Sequence, residues 1–277
     1  MPGLRFAAHL GVRAPDRPLF MASAGPSAAE QVAWISAQGF SGVFDNFLCL
    51  RDPEEQAAFG QLAADHGLAV GSFTLDPEGW STPLWSRDDA EAHDAQRALV
   101  ERAVAVAART GSRTVTCVTG RSPSWPIEAQ RAAMAANLAR VGDLAGAAGL
   151  ALCVEPVAAA FIPDLLADRL ADAQAIVIAA DHPAVRLAFD VGHIAIAGDD
   201  PAAPLAGPPG LVQIADAPGR IDPGAGSVDW RAVFVGLART GYAGLIEVEC
   251  EAMDPGVAGE AALLARLRAL DDRMGEA

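Results

Sequence analysis

The chain has 277 residues, 52% of them hydrophobic, and a formal net charge of −15; its 20 basic residues are all arginine. The absence of lysine excludes a Schiff-base aldolase, a pyridoxal-phosphate enzyme and a Walker-type phosphate loop, each of which needs a lysine amine. The acidity argues against a nucleic-acid partner, and no apolar run approaches the ~18 residues of a membrane span.

The length is close to the ~250 residues typical of one (β/α)8 barrel, so a single TIM-barrel domain over residues 1–277 is expected. The N-terminus has neither a basic n-region nor a small-residue cleavage site, and no signal peptide is expected. Cys49, Cys117, Cys153 and Cys250 are scattered without a C-x-x-C pair, which fits buried free thiols in a reducing compartment. A cytoplasmic protein is therefore expected.

In chain order, eight β-rich runs are predicted, over 4–10, 40–46, 68–75, 113–119, 150–155, 185–190, 211–216 and 244–250. Helical segments lie between them. Residues 88–110 carry Leu99, Ala103, Val106 and Thr110 at helical spacing, and 127–148 carry Met134, Leu138, Val141, Ala145 and Ala148 on one stripe. The unit after 185–190 has a degenerate helix, and 257–271 reads as the closing helix. Gly39, Gly67, Gly111, Gly149 and Gly241 stand where helix C-termini need a left-handed residue. Repeated βα units of this kind make a parallel barrel.

Four of the runs carry an acid or amide toward their C-terminal end: Glu155 in LALCVEP, Asp190 in VRLAFDVGH, Gln213 in LVQIAD and Glu249 in LIEVECE. The C-terminal ends of all barrel strands meet at one mouth, so these residues are expected to converge. Three carboxylates and an amide oxygen suit one hard divalent ion such as Mg²⁺ or Mn²⁺. Two alternatives exist for Glu247, which is either a buried carboxylate paired with Arg186 or the ligand in place of Glu249.

His193, three residues past Asp190, is placed to turn its imidazole toward a substrate at that ion. His9 closes the first run with inward parity, as a substrate contact or a core residue. Arg220, in the proline- and glycine-rich loop after Gln213, has a planar fork suited to a substrate carboxylate, with a surface arginine as the alternative. Trp80, Trp85 and Trp125 are candidates to cover the mouth or to serve an oligomer interface.

The run V-Q-I-A-D-A-P-G-R-I-D-P-G-A-G-S-V-D-W resembles the signature of hydroxypyruvate isomerase and its relatives in the xylose-isomerase-like barrel superfamily. L-R-F-A-A-H-L, T-V-T-C-V-T-G, L-C-V-E-P, F-D-V-G-H and G-Y-A-G-L-I-E-V-E extend the resemblance over nearly the whole chain. It implies that Glu155, Asp190, Gln213 and Glu249 bind a divalent metal, with Glu155 and Glu249 doubling as acid and base. The chain departs from the pattern at Leu211, where the family has histidine, at His9, where it has asparagine, and at Ala158. Phe44-Asp45-Asn46 stands where a glutamate is often found. The changes surround the substrate, so isomerase chemistry is better supported than hydroxypyruvate itself.

The expected activity is a metal-dependent aldose–ketose isomerisation or epimerisation of a small hydroxy-carbonyl compound through an enediolate. A metal-dependent lyase or dehydratase and a noncatalytic sugar-acid binding protein are the alternatives. The expected partner is a small-molecule substrate, with neither nucleic acid nor membrane, and a homo-oligomer is left open.

Overall fold

The computed structural model describes residues 3–275, so Met1, Pro2, Glu276 and Ala277 of the expected domain lie outside the described residues. Among the described residues, nine strand segments are separated by helices except at one place, where two strands follow each other directly. The strands are β1 (Phe6–His9), β2 (Gly42–Phe44), β3 (Ala69–Val70), β4 (Phe73–Thr74), β5 (Thr114–Cys117), β6 (Ala151–Val154), β7 (Val185–Asp190), β8 (Leu211–Ile214) and β9 (Ile246–Val248). The helices are α1 (Met21–Ala24), α2 (Ala28–Ala37), α3 (Pro53–Asp65), α4 (Ala90–Thr110), α5 (Ile127–Ala147), α6 (Leu170–Ala180), α7 (Val191–Ile196), α8 (Trp230–Arg239) and α9 (Val257–Gly275). Every strand pairing is parallel, in the order β3-β2-β1-β9-β8-β7-β6-β5-β4. This is the expected α/β TIM barrel.

One expected strand is two. The run 68–75 breaks at Gly71-Ser72, so that β3 pairs with β2 while β4 pairs with β5, and the two ends of the sheet are consecutive pieces of one chain segment. Glu247 causes the break. Its Oε1 accepts from the Ser72 backbone N–H and its Oε2 from the Ser72 hydroxyl, both at 2.6 Å, while the Ser112 hydroxyl donates to the Gly71 carbonyl. Backbone groups that leave the ladder are thus satisfied by side chains, as buried polar groups must be. A Cβ at Gly71 would collide with Glu247 Oε1. Glu247 therefore closes the barrel seam, and the expected pairing with Arg186 is corrected, since Arg186 donates to the carbonyls of Pro208 and Pro209.

Helix placement follows the predicted stripes. Leu99, Ala103, Val106 and Thr110 of α4 are buried, as are Met134, Leu138, Val141 and Ala145 of α5; Ala148 instead ends its helix, exposed. The five predicted terminating glycines all take positive φ, between 69° and 86°. The degenerate helix is α7, only six residues long and capped by Asp190, which accepts from the His193 backbone N–H. Among the described residues, no helix is long and apolar enough to cross a membrane.

Candidate active site

Glu155 lies one residue past β6, Asp190 is the last residue of β7, Gln213 is in β8 and Glu249 lies one residue past β9. The register sets Asp190 opposite Gln213 and Gln213 opposite Glu247. All four expected ligands are buried at the same end of the sheet, below a cavity of about 500 Å³, a volume suited to a small ligand. Glu155, Asp190 and His193 each offer a donor atom within 4.8 Å of one another.

Arg220 lies inside this acidic cluster. Its Nη1 donates to Asp190 Oδ1 at 2.9 Å, and its Nη2 donates to Glu249 Oε2 at 2.8 Å and to the Glu249 carbonyl at 2.9 Å. The loop that delivers it is held by Asp216, whose carboxylate accepts from the backbone N–H groups of Ala217, Gly224 and Val228 and from the Trp230 indole. Those bonds sustain the left-handed backbone of Arg220, φ 56°, a conformation costly for a residue with a Cβ. Across the site, Gly192 gives the guanidinium room: a Cβ there would lie 3.3 Å from Arg220 Nη1 and 3.0 Å from the Ala215 Cβ.

The charges are unevenly shared. Burial, with the Asp190 charge, pushes the Glu155 carboxyl up to about 8 against the pull of Arg220. Burial likewise raises Glu249 well above the carboxylate range, again opposed by Arg220. Burial would raise Asp190 too, but Arg220, His193 and hydrogen bonds outweigh it and hold Asp190 below its ordinary value. Burial and the neighbouring Arg220 push His193 down to about 3, so its 3.9 Å approach to Glu155 is a contact of a neutral imidazole.

Several buried polar atoms here have no protein partner: Asp190 Oδ2, Gln213 Oε1 and Nε2, and His193 Nδ1. Each such group costs about 1–3 kcal/mol if left unpaired. Unmet oxygens beside carboxylates forced toward protonation are what a divalent cation would relieve, so the residues fit a hard metal.

Residues 32–272 match the family described as xylose isomerase-like TIM barrel. The chain belongs to this family. It is 28% identical over 228 residues to the 2-oxo-tetronate isomerase of Cupriavidus necator, covering 79% of this chain and 85% of that one. By fold it is similar to a protein described as an AP endonuclease of family 2 from Brucella melitensis, with TM-score 0.76 and 19% identity over 95% of this chain and 99% of that one. It is also similar to a D-psicose 3-epimerase, with TM-score 0.69 and 18% identity over 88% and 91% of the two chains. The curated relative is an isomerase and the sugar-acting structural neighbour an epimerase, the enzyme class that the sequence motif implies.

Within this xylose isomerase-like barrel, His193 and Arg220 line the cavity, while His9 does not. His9 Nε2 engages the Cys250 carbonyl at 2.9 Å, its ring is edge-on to Phe44, and burial lowers it to about 4 despite that bond; this is a neutral core histidine supporting the end of β9, in place of the expected substrate contact. Trp80 lines the mouth, but Trp85 is in the core and Trp125 is exposed away from the cavity. Two further residues of the site are not among the sequence-based ligand or substrate candidates, Asn46 standing there only within the Phe44-Asp45-Asn46 departure from the family pattern. Asn46 donates from Nδ2 to Glu249 Oε1 at 3.0 Å, leaving its own Oδ1 buried and unpartnered. Phe161 stands over the mouth, edge-on to His193 with centroids 5.3 Å apart and 5.8 Å from the Arg220 guanidinium. Asn46 ends a predicted run as Glu155 and Asp190 do, so its position is a usable signal. Phe161 sits in an irregular loop and carries none.

Proposed function

We propose that the protein is a divalent-metal-dependent isomerase that removes the α-proton of a small hydroxy-carbonyl compound and returns a proton either at the adjacent carbon, as an aldose–ketose isomerase, or on the opposite face of the same carbon, as an epimerase. The observation that carries this reading is the cluster of Glu155, Asp190 and His193, with Glu249 joined to Asp190 through Arg220, beside the unpartnered Asp190 Oδ2 and Gln213 Oε1. A divalent cation held by Glu155, Asp190, Gln213 and Glu249 would supply Lewis-acid polarisation of the substrate carbonyl.

The chain's own groups do the rest. One glutamate takes the α-proton, and the other, protonated, returns it at the neighbouring carbon or on the opposite face; such assistance is typically worth ~10²–10⁴-fold. Asn46 and Arg220 fix the Glu249 carboxyl from two sides. Glu155 faces the cavity beside His193, at 3.9 Å. Arg220, bridging Asp190 and Glu249, compensates charge as the enediolate forms, and neutral His193 orients a substrate oxygen. Phe161 and Trp80 narrow the mouth and exclude water.

The relative's name makes 2-oxo-tetronate the first substrate to try. The reading takes residues 1–277 as one domain of a cytoplasmic protein, with a small molecule as its partner; the net charge of −15 disfavours a nucleic acid. Proton NMR in D₂O, with metal-loaded and chelator-treated protein, tests it. Loss of the α-proton signal only in the loaded sample is expected. Exchange that survives metal removal would overturn the metal-dependent reading, and release of water would point to a dehydratase.

A further inference from the structure

Arg220 was expected to grip a substrate carboxylate, yet its Nη1 and Nη2 already donate to Asp190 and Glu249. Both N–H groups of Nη2 are spent on Glu249, so neither two-pronged edge of the guanidinium is free for a carboxylate, and an anionic substrate group calls for a second cation among the walls of the cavity. Glu155, Glu249 and Glu251 are acids and offer it no positive charge. Asn46 has committed its Nδ2 to Glu249 and presents an unmet acceptor, Oδ1, which suits a hydroxyl and rejects an anion. The remaining charged group is Arg13, in the loop after β1, with its guanidinium 5.9 Å from the centroid of Phe161, the same ring that covers Arg220 and His193.

Resting on the isomerase reading for the identity of the reaction, we propose that Arg13 is the specificity-determining residue of this site, binding the anionic end of a hydroxy-keto acid while Asn46 Oδ1 takes a hydroxyl of the same molecule. The Phe161 face holds the Arg13 guanidinium at the mouth by a cation–π contact. Its present partner, Glu251, is a single 3.4 Å contact between half-exposed side chains, and exposed pairs of this kind contribute little and are readily exchanged. A carboxylate can meet the guanidinium with two parallel bonds, which a monodentate neighbour does not match. A cation and a neutral acceptor on the walls of one cavity thus select acids over neutral sugars and fix which way round the substrate lies.

The test is calorimetric titration of erythronate, an inert four-carbon hydroxy acid, and of its neutral counterpart erythritol, into wild type, Arg13→Met and Arg13→Lys. Wild type should favour the acid. Arg13→Met should weaken erythronate by about ten- to a hundredfold, leave erythritol within about twofold, and raise KM more than it lowers kcat for 2-oxo-tetronate; Arg13→Lys should recover part of the loss. Glu251→Gln, which removes the competing carboxylate, should tighten erythronate. Equal effects of Arg13→Met on acid and neutral ligand, or no effect on either, would overturn the assignment. Because binding is read without turnover, a failure of α-proton exchange would count against the isomerase reading and leave the role of Arg13 in acid binding intact.

Discussion

Arg220 donates to Asp190 at 2.9 Å with both side chains buried, and Asp190 in turn caps the helix that carries His193. The pair couples the loop after β8 to the end of β7, so the cation stabilises the protein as well as serving the site. Breaking a buried pair by removing one partner leaves an uncompensated charge and costs about 3–5 kcal/mol. Arg220→Met should lower the urea midpoint by a corresponding amount at neutral pH, and added Mn²⁺ should recover part of the loss by replacing the missing positive charge. An unchanged midpoint would mean that neighbouring carboxyls simply take up protons.

Gln213 gives a prediction of two opposite signs. Both of its amide atoms are buried and unpartnered, so Gln213→Leu, which removes two unpaired polar groups, should leave the metal-free protein as stable or more so. The same change removes a ligand. Titrating Mg²⁺ or Mn²⁺ into chelator-treated wild type should raise Tm, with ~2.7 kcal/mol gained at a hundred times Kd, and the rise should shrink in Gln213→Leu. Differential scanning fluorimetry reads both effects, and an undiminished metal response would remove Gln213 from the ligand set.

The two glutamates are separable by substitution. Glu155→Gln and Glu249→Gln keep the shape of each side chain but remove its proton chemistry, and each should lower kcat by ~10²–10⁴-fold. Glu249→Gln also disturbs the bonds to Arg220 and Asn46, so it should lose stability that Glu155→Gln keeps. Near-normal turnover in either variant with metal bound would exclude that residue as acid or base.

The barrel and the converging strand ends are legible in the sequence because both rest on local signals, apolar periodicity and a polar residue where a run stops. The run 185–190 agrees with β7 at both ends. What is illegible depends on the partner across space. Asp216 reads as an ordinary strand-end acid, yet it organises the loop behind Arg220 through four donors. Arg220 has the composition of a substrate clamp, but its donors meet carboxylates from two other strands. Run 68–75 looks continuous until Glu247, 175 residues further on, takes the hydrogen bonds of Ser72.

That seam glutamate supports a prediction about pH. Burial raises the Glu247 carboxyl from an ordinary 4.5 to about 7, against the Ser72 bonds that favour its charged form. The folded protein therefore holds this proton more tightly than the unfolded chain does. The stability linked to it is fully present below about pH 4.5 and is lost as the pH rises through about 7. At ~1.4 kcal/mol for each pH unit of displacement, the loss is on the order of 3 kcal/mol. Glu247→Gln can still accept from the Ser72 backbone N–H and donate to its hydroxyl, without a charge to bury. Urea unfolding of the variant and wild type should therefore give similar stabilities at pH 5 and a more stable variant at pH 9. Taking the difference between the two proteins removes the titration of Glu155, which shifts in the same direction, except for the smallest part of that shift, which the Glu247 charge itself supplies. An offset of equal size at both pH values would mean that Glu247 stays charged throughout, and that the seam is held by an ionised carboxylate.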